Sequence, residues 1–317
     1  GQALRFINLL CTAIAIAAVI GILDPVTDRY FIRDLVKQFT GYSQYAIDWT
    51  DTHRLGLMRA SGPLEHPILF GFVSAIGFII ALAVPLRRRL FIVLACGMGA
   101  LAALSSAPLQ CLVIGSALLV YGRLTSKMPC RWTAAIVGGG AAAAATFVIS
   151  SNPLGFIMSH LIFDPVSGYY RYWTWETTLS VLSHSPVYGV GYVTIPEEID
   201  HSLDSVWLCL SVQGGYPQAV LTFLCVVGAF SSSTSGPRSQ LTAEEKQLAK
   251  ALGIVAFLTI FIGFTVHFWG ITWILLSLLA GTSAHLGELA KLSSRAARPA
   301  PAYAAVPFGS AFLRFNG

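Results

Sequence analysis

Arg87-Arg-Arg-Leu90-Phe-Ile-Val-Leu-Ala-Cys96-Gly-Met-Gly-Ala-Leu-Ala-Ala-Leu-Ser105-Ser-Ala-Pro108-Leu-Gln-Cys111-Leu-Val-Ile-Gly-Ser-Ala-Leu-Leu-Val-Tyr-Gly122-Arg123 carries no charge between its two basic ends. About 20 apolar residues cross a bilayer as a helix, so this run is too long for one upright span and only just long enough for two. A single crossing would put Arg87, Arg88 and Arg89 on one side and Arg123, Lys127 and Arg131 on the other. A hairpin turning at Ser105 to Pro108 keeps both clusters together, as the bias of lysine and arginine toward the cytoplasm requires. The same argument folds Ala251 to Leu286 into a hairpin turning at His267 to Gly270.

Working outward, charge-free runs at Phe6 to Leu23, Pro67 to Leu86, Trp132 to Phe163 and Ser205 to Pro237 complete the pattern. The chain of 317 residues is 55% apolar and 11% charged, with a mean hydropathy of +0.68; a soluble domain carries roughly 25% charged residues, which excludes that class. The expectation is an all-α, polytopic helical membrane protein with about eight transmembrane helices, at 5–23, 67–86, 90–105, 107–122, 132–150, 205–231, 251–266 and 270–286. Residues 1–288 form the membrane domain, with periplasmic loops 24–66 and 151–204, and 289–317 form a disordered cytoplasmic tail rich in alanine, proline and arginine.

The charges agree with that map. Inside segments hold 14 of the 20 basic and 3 of the 15 acidic residues, while outside segments hold 6 basic and 12 acidic ones. The net +5 is therefore an orientation signal with both ends cytoplasmic, and no nucleic-acid partner follows from it. The six cysteines fall in spans or a cytoplasmic loop without a C-x-x-C pair, so neither a disulfide framework nor a zinc site is expected. No cleavable signal pattern is present, and the start at Gly1, directly before a span, suggests an upstream portion that is missing or processed. With no aspartate, glutamate, lysine or arginine in the interior of the expected spans, an ion-coupled transporter is disfavoured.

Chemistry is expected outside, where six of the seven histidines lie. Arg29, Arg33 and Lys37 recur on one face of an amphipathic helix whose other face is Phe31, Leu35, Val36 and Phe39. That face either snorkels onto anionic lipid or forms a basic rail for a lipid-linked phosphate. Gly62-Pro63 makes a turn and Pro67 sits in the first turn of the second span, which fixes Arg59, Glu65 and His66 at the membrane surface. Arg171 and Trp175, i and i+4, share a helix face; Arg171 is either a partner of Glu176 or Asp164 or a ligand for an anion. Tyr169, Tyr170, Tyr172, Trp173 and Trp175 are an interface belt or a stacking surface for sugars. His201 and Asp204 form a titratable pair at the lip of the sixth span unless Asp204 is simply its N-cap, and Gly214-Gly-Tyr-Pro217 breaks that span. The Gly189-Val-Gly191 pattern reads as a turn.

Arg59-Ala-Ser-Gly-Pro-Leu-Glu-His-Pro67 before a span, then Arg171-Tyr-Trp with Pro186-Val-Tyr-Gly-Val-Gly191, then Asp204-Ser-Val-Trp-Leu208 with Gly214 beyond, resembles the O-antigen ligase and O-antigen or exopolysaccharide polymerase family over residues from about 50 to 225. The resemblance implies a many-span glycosyltransferase of the bacterial inner membrane, similar to the C-type enzymes. Such a protein takes a glycan from undecaprenyl diphosphate and joins it to a sugar or lipid-core acceptor outside the membrane, with no metal and no cofactor. Its partners are that donor, the acceptor, membrane lipids and a chain-length regulator.

On that resemblance Arg59 and Arg171 meet the diphosphate, and the base is His201 or Asp204, where ligases tend to carry His-Asn and this chain has His201-Ser. Arg54, Glu65, His66, Tyr170 and Trp175 are the candidates for substrate binding, with Glu65 or His66 as reserve bases. A flippase or export component that binds the same lipid without making a bond, or an inactive family member, is the competing expectation.

Overall fold

The computed structural model describes residues 1–41, 52–149, 165–191, 203–235 and 241–296. Among the described residues it is all-helical, with 78% of them in ten helices. These are α1 (Gln2–Thr27), α2 (Phe31–Thr40), α3 (Pro67–Ala83), α4 (Arg89–Ala102), α5 (Ser106–Leu124), α6 (Arg131–Ile149), α7 (Pro165–Ser183), α8 (Val206–Ser235), α9 (Ala243–Gly263) and α10 (Gly270–Ala296). A two-residue-per-strand hairpin, β1 (His53–Arg54) with β2 (Leu57–Met58), precedes α3.

Among the described residues each expected span coincides with a helix, and five helices are long and apolar enough to cross a membrane: Gln2–Thr27, Ser106–Leu124, Val206–Ser231, Ala243–Gly263 and Gly270–Leu292. This is consistent with a membrane protein. α3 and α4, of 17 and 14 residues, reach only about 25 and 21 Å at 1.5 Å per residue, less than the roughly 30 Å of a hydrocarbon core.

α3 is the centre of the bundle. Apolar on every face, as a helix surrounded by others is, it buries Leu69, Phe70, Phe72, Val73, Ile76, Ile79 and Ile80 against α1, α4, α5 and α9. Small residues permit the approach. A Cβ on Gly71 would stand 2.7 Å from Ala103 Cβ and Pro108 Cγ, and one on Gly99 would stand 2.9 Å from Ala18 Cβ. α4 and α5 are joined by a short turn at Ala103–Ser105 with Leu104 held left-handed (φ 46°), earlier than the expected Ser105 to Pro108, and Pro108 lies in the first turn of α5. α8 packs on α9 and α10, and α7 on α8.

The expected break in α8 is present. Gly214 and Gly215 leave helical geometry, and the segment after α7 closes the gap: Val190 N–H donates to Val212 O (2.7 Å) and Tyr216 N–H to Pro186 O (2.8 Å). Gly189 (φ 69°) and Gly215 (φ 74°) lie where the two backbones cross, and a Cβ on either would strike carbonyl oxygen of the other segment. Broken backbone inside a bundle is tolerated only with such replacement partners.

Three boundaries depart from expectation. α9 starts at Ala243 because Thr242 and Glu245 form a capping box, with Glu245 N–H on Thr242 Oγ1 and Thr242 N–H on Glu245 Oε2. α10 runs on to Ala296, so the tail expected from 289 is helical over its first turns; residues 297–317 lie outside the described residues.

The third departure has the largest consequence for the packing. α1 continues past Leu23 to Thr27, and Asp24, expected in a loop, lies in its last turns at 0% exposure. Asp24 Oδ2 accepts from the N–H groups of Ser61 (2.9 Å) and Gly62 (2.8 Å), and Oδ1 from that of Phe31 (3.1 Å). One carboxylate thus joins the end of α1, the start of α2 and the turn before α3. Replacing Asp24 by Asn leaves an amide NH2 facing backbone N–H donors. Asp24→Asn is expected to lower stability by roughly 1–3 kcal/mol, the cost of buried groups left unpaired, read as the shift in the unfolding midpoint of the purified protein in detergent.

Candidate functional site

The loop from Thr52 to His66 builds one side of the site. Leu55 (φ 56°) and Gly56 (φ 76°) make a two-residue turn with both central residues left-handed, the type favoured in hairpins. The hairpin returns the chain to the end of α4, whose terminal carbonyls need partners. Ala60 N–H donates to Ala102 O (2.9 Å), Arg59 Nε–H to Ala103 O (3.2 Å) and Arg54 Nη1–H to Leu104 O (3.3 Å). Two cations at a helix C-terminus also match its dipole. Arg59 is 2% exposed, so this guanidinium is a structural member of the fold as well as a candidate ligand.

Beyond Gly62 the turn is gripped by Arg33 from α2. Its Nη2 donates to Ser61 Oγ (2.7 Å), Leu64 O (3.1 Å) and Glu65 O (2.7 Å), and its guanidinium carbon lies 4.4 Å from the centre of the Tyr30 ring. Arg33, read from sequence as one member of an outward basic row, therefore points inward. Only its partners reveal this, since its spacing from Arg29 and Lys37 is that of any amphipathic helix.

His66 caps α3: Nδ1 accepts from Ile68 N–H (3.1 Å), which leaves the ring proton on Nε2. Its ring stands edge-on to Trp269 at 5.5 Å. Burial, and then the positive charges of Arg59, Arg33, Arg171 and Arg54, hold its pKa down at about 3. Those four guanidiniums, from the loop, α2 and α7, thus share the surroundings of one neutral imidazole. Glu65 lies beside the start of α10, its Oε1 3.8 Å from where a Cβ of Gly270 would stand, and its buried Oε2 has no hydrogen-bond partner among the described residues. His267, in the α9–α10 turn, is also pushed below the usual histidine value by burial.

The other side of the site is set by α7 and the start of α8. Trp175 Nε1–H donates to Phe264 O (3.1 Å) and its ring stacks on Phe264 at 6.0 Å, which pins α7 to the end of α9. Arg171, Thr174, Trp175, Asp204, Leu208 and Thr265 are among the residues lining a small recess open to solvent. The helix is capped by Ser205, whose Oγ accepts from Leu208 N–H (3.4 Å) and donates to Gly263 O (2.9 Å). The cap is thus one residue later than the sequence reading allowed, and Asp204 lines the recess. Ser205 is itself a favoured cap residue, so both positions carried the same signal.

The structure thus brings Arg171, Trp175 and Asp204 to one recess and Arg54, Arg59, Glu65 and His66 to the adjoining loop. Arg59 does not line the recess. Tyr170 lies 6.0 Å from Trp173, and both are exposed along with Tyr169 and Tyr172, whereas Trp175 is turned inward. His201 lies outside the described residues. Asp24, Arg33 and Trp269 are the structural contributors that sequence reasoning missed.

The recess sets one cation, Arg171, near one carboxylate, Asp204, and a guanidinium there can pair with phosphate or carboxylate oxygens. A histidine with a folded pKa below its unfolded value resists protonation. Its contribution to stability is complete above about 6.5 and is lost as pH falls toward about 3. His66→Asn, which keeps a capping oxygen, is expected to unfold less steeply with acid between those values, by at most about 1.4 kcal/mol per pH unit, in midpoints measured across pH. No family model, curated protein or solved structure matches the chain.

Proposed function

We propose that the chain is a membrane glycosyltransferase of the O-antigen ligase or polymerase type, joining or polymerising glycans from an undecaprenyl-diphosphate-linked donor at the periplasmic face of the bacterial inner membrane. All eight apolar helices are read as spans, with both ends cytoplasmic and the loop bearing Arg59 and α7 bearing Arg171 on the outer side. The observation that carries the reading is the recess that Arg171 shares with Trp175 and Asp204, together with Arg54 and Arg59 held at the end of α4.

In this reading Arg171 meets the diphosphate as charge grows on it. Arg59, fixed by Ala103 O, adds a positive field that reinforces it without reorganising. The acceptor hydroxyl oxygen attacks the anomeric carbon, the carbon–oxygen bond to the diphosphate breaks, and the hydroxyl proton passes to Asp204 or His201. Attack opposite the leaving group inverts the anomeric centre. Trp175 and Tyr170 offer ring faces to the sugars, and Glu65 and His66 border the donor. His66 with a pKa of about 3 is neutral at physiological pH and so adds no charge beside the diphosphate. The reaction needs no metal and no cofactor.

The test is consumption of lipid-linked oligosaccharide by the reconstituted protein with an acceptor glycan. Arg171→Lys is expected to lower product at least tenfold, since lysine loses the planar fork, while leaving the amount of folded protein unchanged. Arg59→Lys is expected to lower both product and stability, because Arg59 also holds the end of α4. Asp204→Asn reports on the base. Wild-type product from Arg171→Lys overturns the reading, and transfer of intact donor across the bilayer without consumption favours a flippase instead.

A further inference from the structure

α2 is oriented against the rule for a soluble protein. Phe31, Leu35, Val36 and Phe39 form one arc and are exposed, Phe39 by 79%, while the polar arc supplies Arg33, which binds the 61–65 turn through three oxygen atoms. The hydrophobic arc is thus exposed along its length, and of the polar arc Arg33 reaches the protein while Asp34, Lys37 and Gln38 are exposed. α2 also begins where α1 ends. Asp28 turns the chain with φ 52°, Asp24 receives the Phe31 N–H, and Gly41 (φ 68°) stops the helix. Leu9, Ile16, Leu23 and Val26 are exposed apolar side chains along α1, and α2 follows directly at its end. Arg29 and Lys37, both exposed, flank the arc.

We propose that α2 is an interfacial anchor, lying in the headgroup layer at the end of α1 with Phe31, Leu35 and Phe39 in the acyl boundary and Arg29 and Lys37 on anionic headgroups. An amphipathic helix with a segregated apolar face and flanking cations is the structure that binds there, and the continuity with α1 sets its depth. Arg33 then links that depth to the turn before α3: the membrane surface, through α2, holds Ser61 to Glu65 in place. The inference concerns the seat of the helix and does not depend on the reaction proposed above.

The test places a nitroxide on cysteines introduced one at a time along α2 in the full chain, with exposed Cys130 and Cys225 replaced by serine, reconstituted in vesicles of phosphatidylethanolamine and phosphatidylglycerol. Collision with oxygen, which concentrates in lipid, is compared with collision with a water-soluble nickel chelate. Phe31→Cys, Leu35→Cys and Phe39→Cys are expected to favour oxygen, and Asp34→Cys and Gln38→Cys the chelate, with helical periodicity. High chelate access at the first three overturns the proposal by putting the arc in water. Low access to both reagents there also overturns it, because protein then covers the arc. Leu35→Glu with Phe39→Glu is expected to abolish the periodicity, and an unchanged pattern counts against a lipid seat.

Discussion

A buried carboxylate accepting three backbone N–H groups joins the end of α1, the start of α2 and the turn before α3. Asp24 lies where a membrane helix ends, and its oxygens receive Phe31, Ser61 and Gly62. Without them each of these donors would be a buried group without a partner, at a cost comparable to a lost hydrogen bond. The turn at Ser61–Glu65 is therefore fixed twice, from below by Asp24 and from the side by Arg33. His66 follows directly, as the cap of the helix at the centre of the bundle.

The arginines of the site show how structural and chemical demands coincide. Arg54 and Arg59 answer the open carbonyls of α4, Arg33 answers those of the turn, and Arg171 stands on a helix pinned by Trp175. Arg33, Arg54 and Arg59 each donate to backbone carbonyls. Burial, and then the charges of Arg59, Arg33, Arg171 and Arg54, depress the pKa of His66. Fixed positive groups of low mobility are what an anionic leaving group requires.

Much of this was legible in the residues. Charge runs placed the turn of the α4–α5 hairpin near Ser105, and glycine and proline marked the break at Gly214, because both signals are local: charge is excluded from lipid, and these residues alter backbone geometry wherever they sit. The partners that repair the break were not legible, since Pro186 and Val190 meet Tyr216 and Val212 only through packing. The choice between Asp204 and Ser205 as cap was equally hidden, as was the inward turn of Arg33. An arginine on an amphipathic helix has the same spacing whether it faces water, lipid or a backbone oxygen.

Hydropathy and charge alone determined that this chain is helical and built for a bilayer, with its polar groups gathered in two connecting regions, because burying apolar length and excluding charge need no knowledge of neighbours. Tertiary structure decided which of those polar groups meet. Asp24 became a junction, Arg33 a clamp, and Arg171, Trp175 and Asp204 the lining of one recess, because side chains distant in sequence gain their partners only when the helices that carry them pack.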